Sequence, residues 1–417
     1  MAIELSNLTF TDEDDIVPLS GVDEIVNTGI ANTLAGKDRI TGTKDVISAT
    51  SETYSIFNSG TLNTADGDDI ITGTISGSEL TPYSTYSIYN SGTLNTEDGN
   101  DILTGIGGKS TIYNSGTLNT GDGNDIITGI PNQNEATNFN RFGVSSSNGG
   151  IIDTGDGSDM ITGVSSNTGA GVYINTGSIN TGDGNDTITG SSSTFLIGFS
   201  RGIDVNYLGS LDTGKGKDII TGTGLYGIVN SNLINTGDDD DIITGTGGTA
   251  GNGIANSGMF DTGDGNDIIT GTLFGNFLGF GSYSIYNTGT FNTGDGNDII
   301  TATGTEYGIY NNDGTINTGD GKDSIIADGG FAGSGNVFLG NGKDYLKGFG
   351  SGNFNGGNGK DTLELTSGNY TVEILGTAVN FTKGSIIMNT SEFEKLQAGD
   401  TTYKFNSLTN GQTIIVA

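Results

Sequence analysis

The chain has 417 residues and contains neither cysteine nor histidine. With thiolate and imidazole absent, the ligands of zinc, copper and iron–sulfur sites are missing, and only hard oxygen donors remain for a metal. The lack of cysteine also excludes a disulfide framework and leaves the redox compartment open. Basic side chains are scarce: 15 Lys and Arg stand against 49 Asp and Glu, for a formal net charge of −34. That balance argues against nucleic acid or an anionic membrane surface as partner and for bound cations. No stretch approaches 18 apolar residues, so no membrane span is expected. The N-terminal "MAIELSNLTFTDEDDIVPLSG" lacks the basic and apolar regions of a cleaved secretory signal. No G-x-S-x-G elbow is present. Without His or Cys the common nucleophile and base pairings are also missing, and the expectation is a protein without catalysis.

Proline is limited to 3 residues, whereas glycine reaches 75, and the glycines recur in one phrase. "LNTGDGNDIITG" spans Leu118 to Gly129, and close copies return along most of the chain. Aligned on the last Asp of the turn, 13 copies end in Asp38, Asp69, Asp101, Asp125, Asp159, Asp186, Asp218, Asp241, Asp267, Asp298, Asp323, Asp344 and Asp361. The fullest form is the 19-residue "IYNSGTLNTGDGNDIITGI" at Ile112 to Ile130, and insertions of variable length separate the earlier units. The residue two after the Asp is aliphatic in every copy, from Ile40 and Ile71 to Leu363. Its neighbour one residue earlier accepts Arg39, Thr187, Ser324 and Tyr345. Such alternation predicts a strand with one buried face. Seven residues before the Asp lies a second apolar column, which includes Leu62, Leu94, Leu118, Ile179, Phe260, Phe291 and Phe354. The expectation is therefore two strands per unit facing one narrow core.

A stripe so thin cannot fold alone, but stacked units make the columns continuous. The predicted fold is all-β: a parallel β-solenoid, of β-roll or β-helix type, with about 13 coils. Residues 1–24 are expected to cap one end, residues 25–365 to form the solenoid, and residues 366–417, which hold "YTVEIL", "VNFT", "SIIMN" and "TYKFN", to form a C-terminal β cap. At the corners, Gly67 and Gly123 are expected at positive φ. Asp239, which breaks that column in "GDDDD", is among the few side chains that tolerate it.

Stacking carries an electrostatic cost. Two ionised carboxylates about 4.8 Å apart repel by roughly 3 to 4 kcal/mol at an effective dielectric near 20. A divalent cation between turns reverses the sign, and carboxylates mixed with backbone carbonyls form the oxygen cage that Ca²⁺ prefers over Mg²⁺. The turn also resembles a known family at this point. "TGDGNDIIT" at Thr120 to Thr128 is similar to the nonapeptide G-G-x-G-x-D-x-U-x of RTX, or hemolysin-type, calcium-binding repeats, with Thr in place of the first Gly.

The resemblance covers roughly residues 25 to 365. It implies side-chain calcium ligands at Asp69, Asp101, Asp125, Asp159, Asp186, Asp218, Asp241, Asp267, Asp298, Asp323, Asp344 and Asp361. It implies carbonyl ligands at Gly67, Gly99, Gly123, Gly157, Gly184, Gly216, Gly265, Gly296, Gly321, Gly342 and Gly359. Most coils carry one such nonapeptide, which implies a single row of calcium. The opposite half carries an Asn column, at Asn27, Asn58, Asn90, Asn114, Asn148, Asn175, Asn256, Asn287 and Asn312, and an Asn/Asp column beginning Asn63, Asn95, Asn119 and Asp153. Amide ladders are expected there. Coil one, with Ala35 and Lys37, and coil seven, with Lys215 and Lys217, are the weakest expected sites.

By the same resemblance, the C-terminal segment implies type I secretion without an N-terminal signal, and so an extracellular or cell-surface location. The expected function is that of a calcium-stabilised surface or matrix protein, with a surface glycan or a second copy of the chain as a further partner. Three alternatives stand beside it. Aromatic insertions, "PYSTYS" at Pro82, "NFNRFG" at Asn138, "TFLIGF" at Thr194 and "LFGNFLGFGSY" at Leu273, would suit a glycan-binding or adhesive module. Outward "ITGT" threonines would suit ice. Paired acids in a cleft would suit a polysaccharide-active enzyme. The acidic "DEDD" at Asp12 to Asp15 is left without a role.

Overall fold

The structure is a computed structural model that describes residues 2–18, 23–46, 51–77, 84–131, 141–166, 168–193, 200–274, 282–304 and 307–417. The insertion "TFLIGF" lies outside the described residues, as do residues 82–83, 138–140 and 275–281 of the other three aromatic insertions. The protein is all-β. Among the described residues there is no α-helix, only two short 3₁₀ turns at Leu5–Asn7 and Phe405–Ser407.

The chain divides into two compact units, Met1–Asn232 and Leu233–Ala417. Each coil in the first unit contributes three strands, for example Ser110–Asn114, Thr117–Asn119 and Ile126–Ile130. Each strand pairs in parallel with its counterpart in the next coil, like over like: Leu118 over Ile152, Ile127 over Ile161, Thr128 over Thr162. Three parallel sheets result, and the solenoid is three-sided. The second unit repeats the arrangement, with Ile254 over Ile285, Phe260 over Phe291 and Ile269 over Ile300. It ends in antiparallel strands: Gly368–Leu375 pairs with Ala378–Lys383, and the latter with Ile386–Ser391. Ile386–Ser391 in turn lies parallel on Gly352–Asn355.

Both predicted apolar columns are buried, and a third joins them. Ile25, Ile56, Ile88, Ile112, Val144, Val172 and Ile203 in the first unit, and Ile254, Ile285 and Ile309 in the second, are at most 1% exposed. The expectation of two strands per coil is thus corrected to three. Full burial of one such side chain contributes about 1.5–3 kcal/mol, so a core three residues wide stabilises each coil considerably more than two columns do. The rings of Phe260 and Phe291 stack with centroids 4.6 Å apart. The core is narrow enough to need small residues: a Cβ on Gly129, which follows the buried Ile127 on the inner face, would lie 2.2 Å from the Gly143 carbonyl.

The Asn column forms, with changes. Amide bonds run Asn27 to Asn58 to Asn90 to Asn114 at 2.7–2.8 Å, and Asn256 to Asn287 to Asn311 at 2.9 Å. Below Asn114 the register places Ser146, then Ile174. Asn148 instead reaches Tyr113 and Asn175 meets Asn206, so neither belongs to the ladder. Asn311, not Asn312, occupies the column. The cause is local. The turn between the first and second strands runs from Asn114 to Thr117 in one coil and from Ser146 to Ile151 in the next, and those two extra residues move the frame.

Candidate metal centre

The turn joining the second and third strands holds the repeated acids. Two features of "TGDGND" shape it. Its first glycine is left-handed, with φ of +82° at Gly121 and +75° at Gly182. Leu34, Ala65 and Glu97 show that other side chains tolerate the position. The second glycine is more demanding. Gly67, Gly123 and Gly157 have φ of +151° to +156°, as expected, and Asp239 sits at +92°. The stronger constraint is intermolecular in character although it lies within one chain: a Cβ at Gly123 would stand 1.5 Å from the Gly99 carbonyl, and one at Gly157 or Gly184 1.4 Å from the carbonyl of the glycine one coil earlier. The carbonyls of Gly67, Gly99, Gly123 and Gly157 are therefore aimed along the stack onto the next glycine. In the second unit Gly265, Gly296, Gly321 and Gly342 repeat the arrangement. Gly216 and Gly359 close on Gly184 and Gly342 in the same way.

The two acids of the turn lie on opposite sides of its backbone. Asp122, Asp156 and Asp183 are exposed, and each accepts the backbone N–H of the corresponding residue one coil on, at 3.1–3.2 Å. The last Asp of every turn, from Asp38 to Asp361, is at most 2% exposed. These buried carboxylates form a ladder of their own. Asp38 Oδ1 accepts the Asp15 N–H, and the series continues through Asp69, Asp101, Asp125, Asp159, Asp186 and Asp218 at 2.7–2.8 Å, although the coil length varies from 23 to 34 residues. In the second unit the ladder runs from Asp241 through Asp267, Asp298, Asp323 and Asp344 to Asp361, whose own N–H is taken by Glu394.

One oxygen of each carboxylate is thereby used. The other defines the candidate site. Oδ2 of Asp38, Asp69, Asp101, Asp125, Asp186 and Asp323 is buried and makes no well-formed hydrogen bond, although the threonine hydroxyl five residues earlier lies beside it and pulls the pKa down against the rise from burial. Oδ2 of Asp344 and Asp361 is likewise buried, and those two carboxyls interact with each other. In Asp159, Asp267 and Asp298, Oδ2 receives a threonine hydroxyl, from Thr154, Thr262 and Thr293, at 2.5 Å. Those threonines belong to a fully buried column that includes Thr64, Thr120 and Thr181. The column was legible as the Thr five residues before the Asp in every copy but the last two, which have Leu339 and Gly356, but beside the RTX nonapeptide it reads only as a replaced glycine. Burial pushes the carboxyls up, to about 7 at Asp101, Asp125, Asp186, Asp267, Asp323 and Asp361 and to about 6 at Asp69, Asp159, Asp218 and Asp298. For Asp186, the Thr181 hydroxyl and the Asp159 N–H pull in the opposite direction without cancelling that rise.

An ionised carboxylate without a cationic partner in a dry interior is costly, and a cation or a proton relieves it. The residues fit calcium in donor chemistry: the turns offer carboxylate and backbone carbonyl oxygens, and in most coils a threonine hydroxyl, with no nitrogen or sulfur ligand among them. Among the described residues no group of three or more acids converges on one point. Any cation here would thus be shared between neighbouring coils and completed by neutral oxygens. At the weak coils, Lys37 makes an external ion pair with Asp68 of the next coil, while the Lys215 and Lys217 backbone N–H groups bond Asp183 and Asn185.

Fold and site together define a parallel β-solenoid with an internal aspartate ladder. No family model matches the chain, and no curated protein does. Among solved structures, it is similar to a hyperactive, Ca²⁺-dependent, β-helical antifreeze protein from an Antarctic bacterium, at 18% identity over 96% of both chains, with a TM-score of 0.38.

Proposed function

We propose that this chain is a non-catalytic, calcium-stabilised solenoid of the RTX type that acts outside the cell as a surface or matrix component. The observation that carries the reading is the row of buried aspartates, one per coil, whose Oδ2 atoms have no cationic partner and at most a threonine hydroxyl beside them. Bound calcium supplies positive charge inside the turns, and the chain's own residues do the rest. Asp69, Asp101, Asp125 and Asp186 would hold the ions, the threonine hydroxyls would orient those carboxylates, and the glycine column lets the coils approach closely enough to share them. Charge supports the same reading, because a complete turn such as "GDGND" carries two carboxylates, and one divalent ion per gap neutralises both. Ligands assembled only in the coiled state make binding free energy into folding free energy. The chain then stays extended in low-calcium cytosol, suited to type I export, and folds where calcium is millimolar.

Circular dichroism in excess chelator, followed by calcium titration, tests this: the β-sheet signal should appear with calcium. An unchanged spectrum throughout would refute calcium-driven folding.

One further reading has an observation behind it. The outward face of the third sheet presents Thr104, Thr128, Thr162, Thr189 and Thr221 in register, beside the exposed Ile126, Met160 and Ile219. A regular row of uncharged side chains on so acidic a protein suits an ordered uncharged surface such as ice. Thermal hysteresis measured with and without calcium decides it.

A further inference from the structure

Each unit presents an edge strand of the third sheet, and the surroundings of the two edges differ in charge. In the first unit, the strand Ile16–Val17 is the outermost of the third sheet and, among the described residues, pairs only with Arg39–Val46. A cleft of about 400 Å³ opens beside it, lined by Leu8, Phe10, Asp14, Asp15 and Ile16. Leu8 and Ile16 are 42% and 52% exposed, and Asp12, Glu13 and Asp14 stand exposed next to them. In the second unit, Thr401–Lys404 is the outermost strand of the third sheet and, among the described residues, pairs only with Lys395–Ala398. There a cleft of about 570 Å³ is lined by Lys360, Lys395, Lys404, Phe393 and Tyr403, together with one acid, Glu394, whose carboxylate accepts the Asp361 N–H. Lys395 and Lys404 are direct cross-strand partners. Like charges so placed repel, and no carboxylate forms an ion pair with either among the described residues.

We propose that copies of this chain associate head to tail, the acidic edge in the first unit of one seating against the lysine-lined cleft in the second unit of the next. Charge complementarity selects the occupant. Three of the 15 basic residues gather at one edge, whereas "DEDD" marks the other. Two heads repel and two tails repel, so only the unlike edges attract, and the contact is heterologous. Each edge also offers an apolar side chain and an outermost strand, the elements by which a sheet can continue into another chain. The molecule contains a model for the pairing: the Lys37 ammonium of one coil meets the Asp68 carboxylate of the next, on the outside of the turn.

The test is sedimentation velocity in calcium with three full-length proteins. Wild type should associate with concentration, and raising NaCl from 50 to 500 mM should weaken this at least tenfold. K395E/K404E, now acidic at both edges, and D12K/E13K, basic at both, should each remain monomeric while keeping the wild-type circular dichroism spectrum. Mixed, the two should form a 1:1 complex, because one now has an acidic tail and the other a basic head. A monomeric wild type at 100-fold dilution series up to saturation, or association that persists in either variant alone, would overturn the proposal. So would binding of polygalacturonate by a monomeric wild type that K395E/K404E loses, since the cleft would then be a site for an acidic glycan.

Discussion

Asp186 offers the sharpest separation between a ladder that exists for its hydrogen bonds and one that exists for a metal. Its Oδ1 accepts the Asp159 N–H at 2.8 Å, and its buried Oδ2 makes no well-formed hydrogen bond, with the Thr181 hydroxyl beside it. D186N keeps the acceptor and removes the charge, and its amide can donate toward the Thr181 hydroxyl alongside. Without metal, the wild-type carboxyl has its pKa pushed from 3.8 to about 7 by burial. Each factor of ten in proton affinity is worth about 1.4 kcal/mol, so keeping this group ionised at pH 8 costs the folded chain on the order of 4 kcal/mol. D186N removes that cost and should be the more stable protein in chelator. With calcium the order changes. A site filled at a hundredfold excess over its dissociation constant contributes about 2.7 kcal/mol, and Asp186 borders a gap on each side. The increment that calcium adds should therefore fall by up to about 5 kcal/mol in the variant, leaving it below wild type.

Urea unfolding at pH 8, in chelator and in saturating calcium, measures both quantities. If the metal-free chain is only partly folded, the folded fraction at zero urea gives the same comparison. A variant that is already the weaker in chelator would show that the carboxylates hold the coils together unaided. An unchanged calcium increment would show that Asp186 is no ligand.

Three other outcomes follow from the same geometry. G157A places a Cβ 1.4 Å from the Gly123 carbonyl and should separate two coils at a loss of several kcal/mol, whereas G149A, at φ +80° with nothing within 4 Å, should lose only about 1 kcal/mol; equal losses in thermal melts would disprove the steric argument. Because the buried carboxyls are raised above their unfolded values, the metal-free folded chain binds more protons than the unfolded chain between about pH 4 and 7. Any folded fraction in chelator should thus shrink as pH rises through that window; a fraction that does not change with pH would count against the internal row. Finally, I188D puts a charge at a 0%-exposed position between Ile161 and Ile220 and should cost several kcal/mol, whereas the outward neighbour T187D should cost far less; comparable melting temperatures for the two would mean that the faces are reversed.

The coil, its parallel stacking and the address of every acid were decided by the sequence alone. They were legible because the aliphatic column two residues after each Asp and the apolar column seven before it keep a constant distance from the turn, whatever the length of the insertion between coils. The third column lies 13 residues before Asp125 but 15 before Asp159, since the intervening turn gains residues, and a constant offset cannot find it. The same shift hid Ser146 and Ile174 in the amide ladder and brought Asn148 and Asn175 into it wrongly. Tertiary structure also decided what each acid faces. "GDGND" reads as two equivalent carboxylates, but the backbone turns between them, so that Asp122 meets solvent while Asp125 enters the core and bonds a coil 24 residues away in one direction and 34 in the other. Burial and hydrogen-bond partners belong to the neighbouring coil, not to the local segment, and for that reason the buried Oδ2 could be placed only once the coils were stacked.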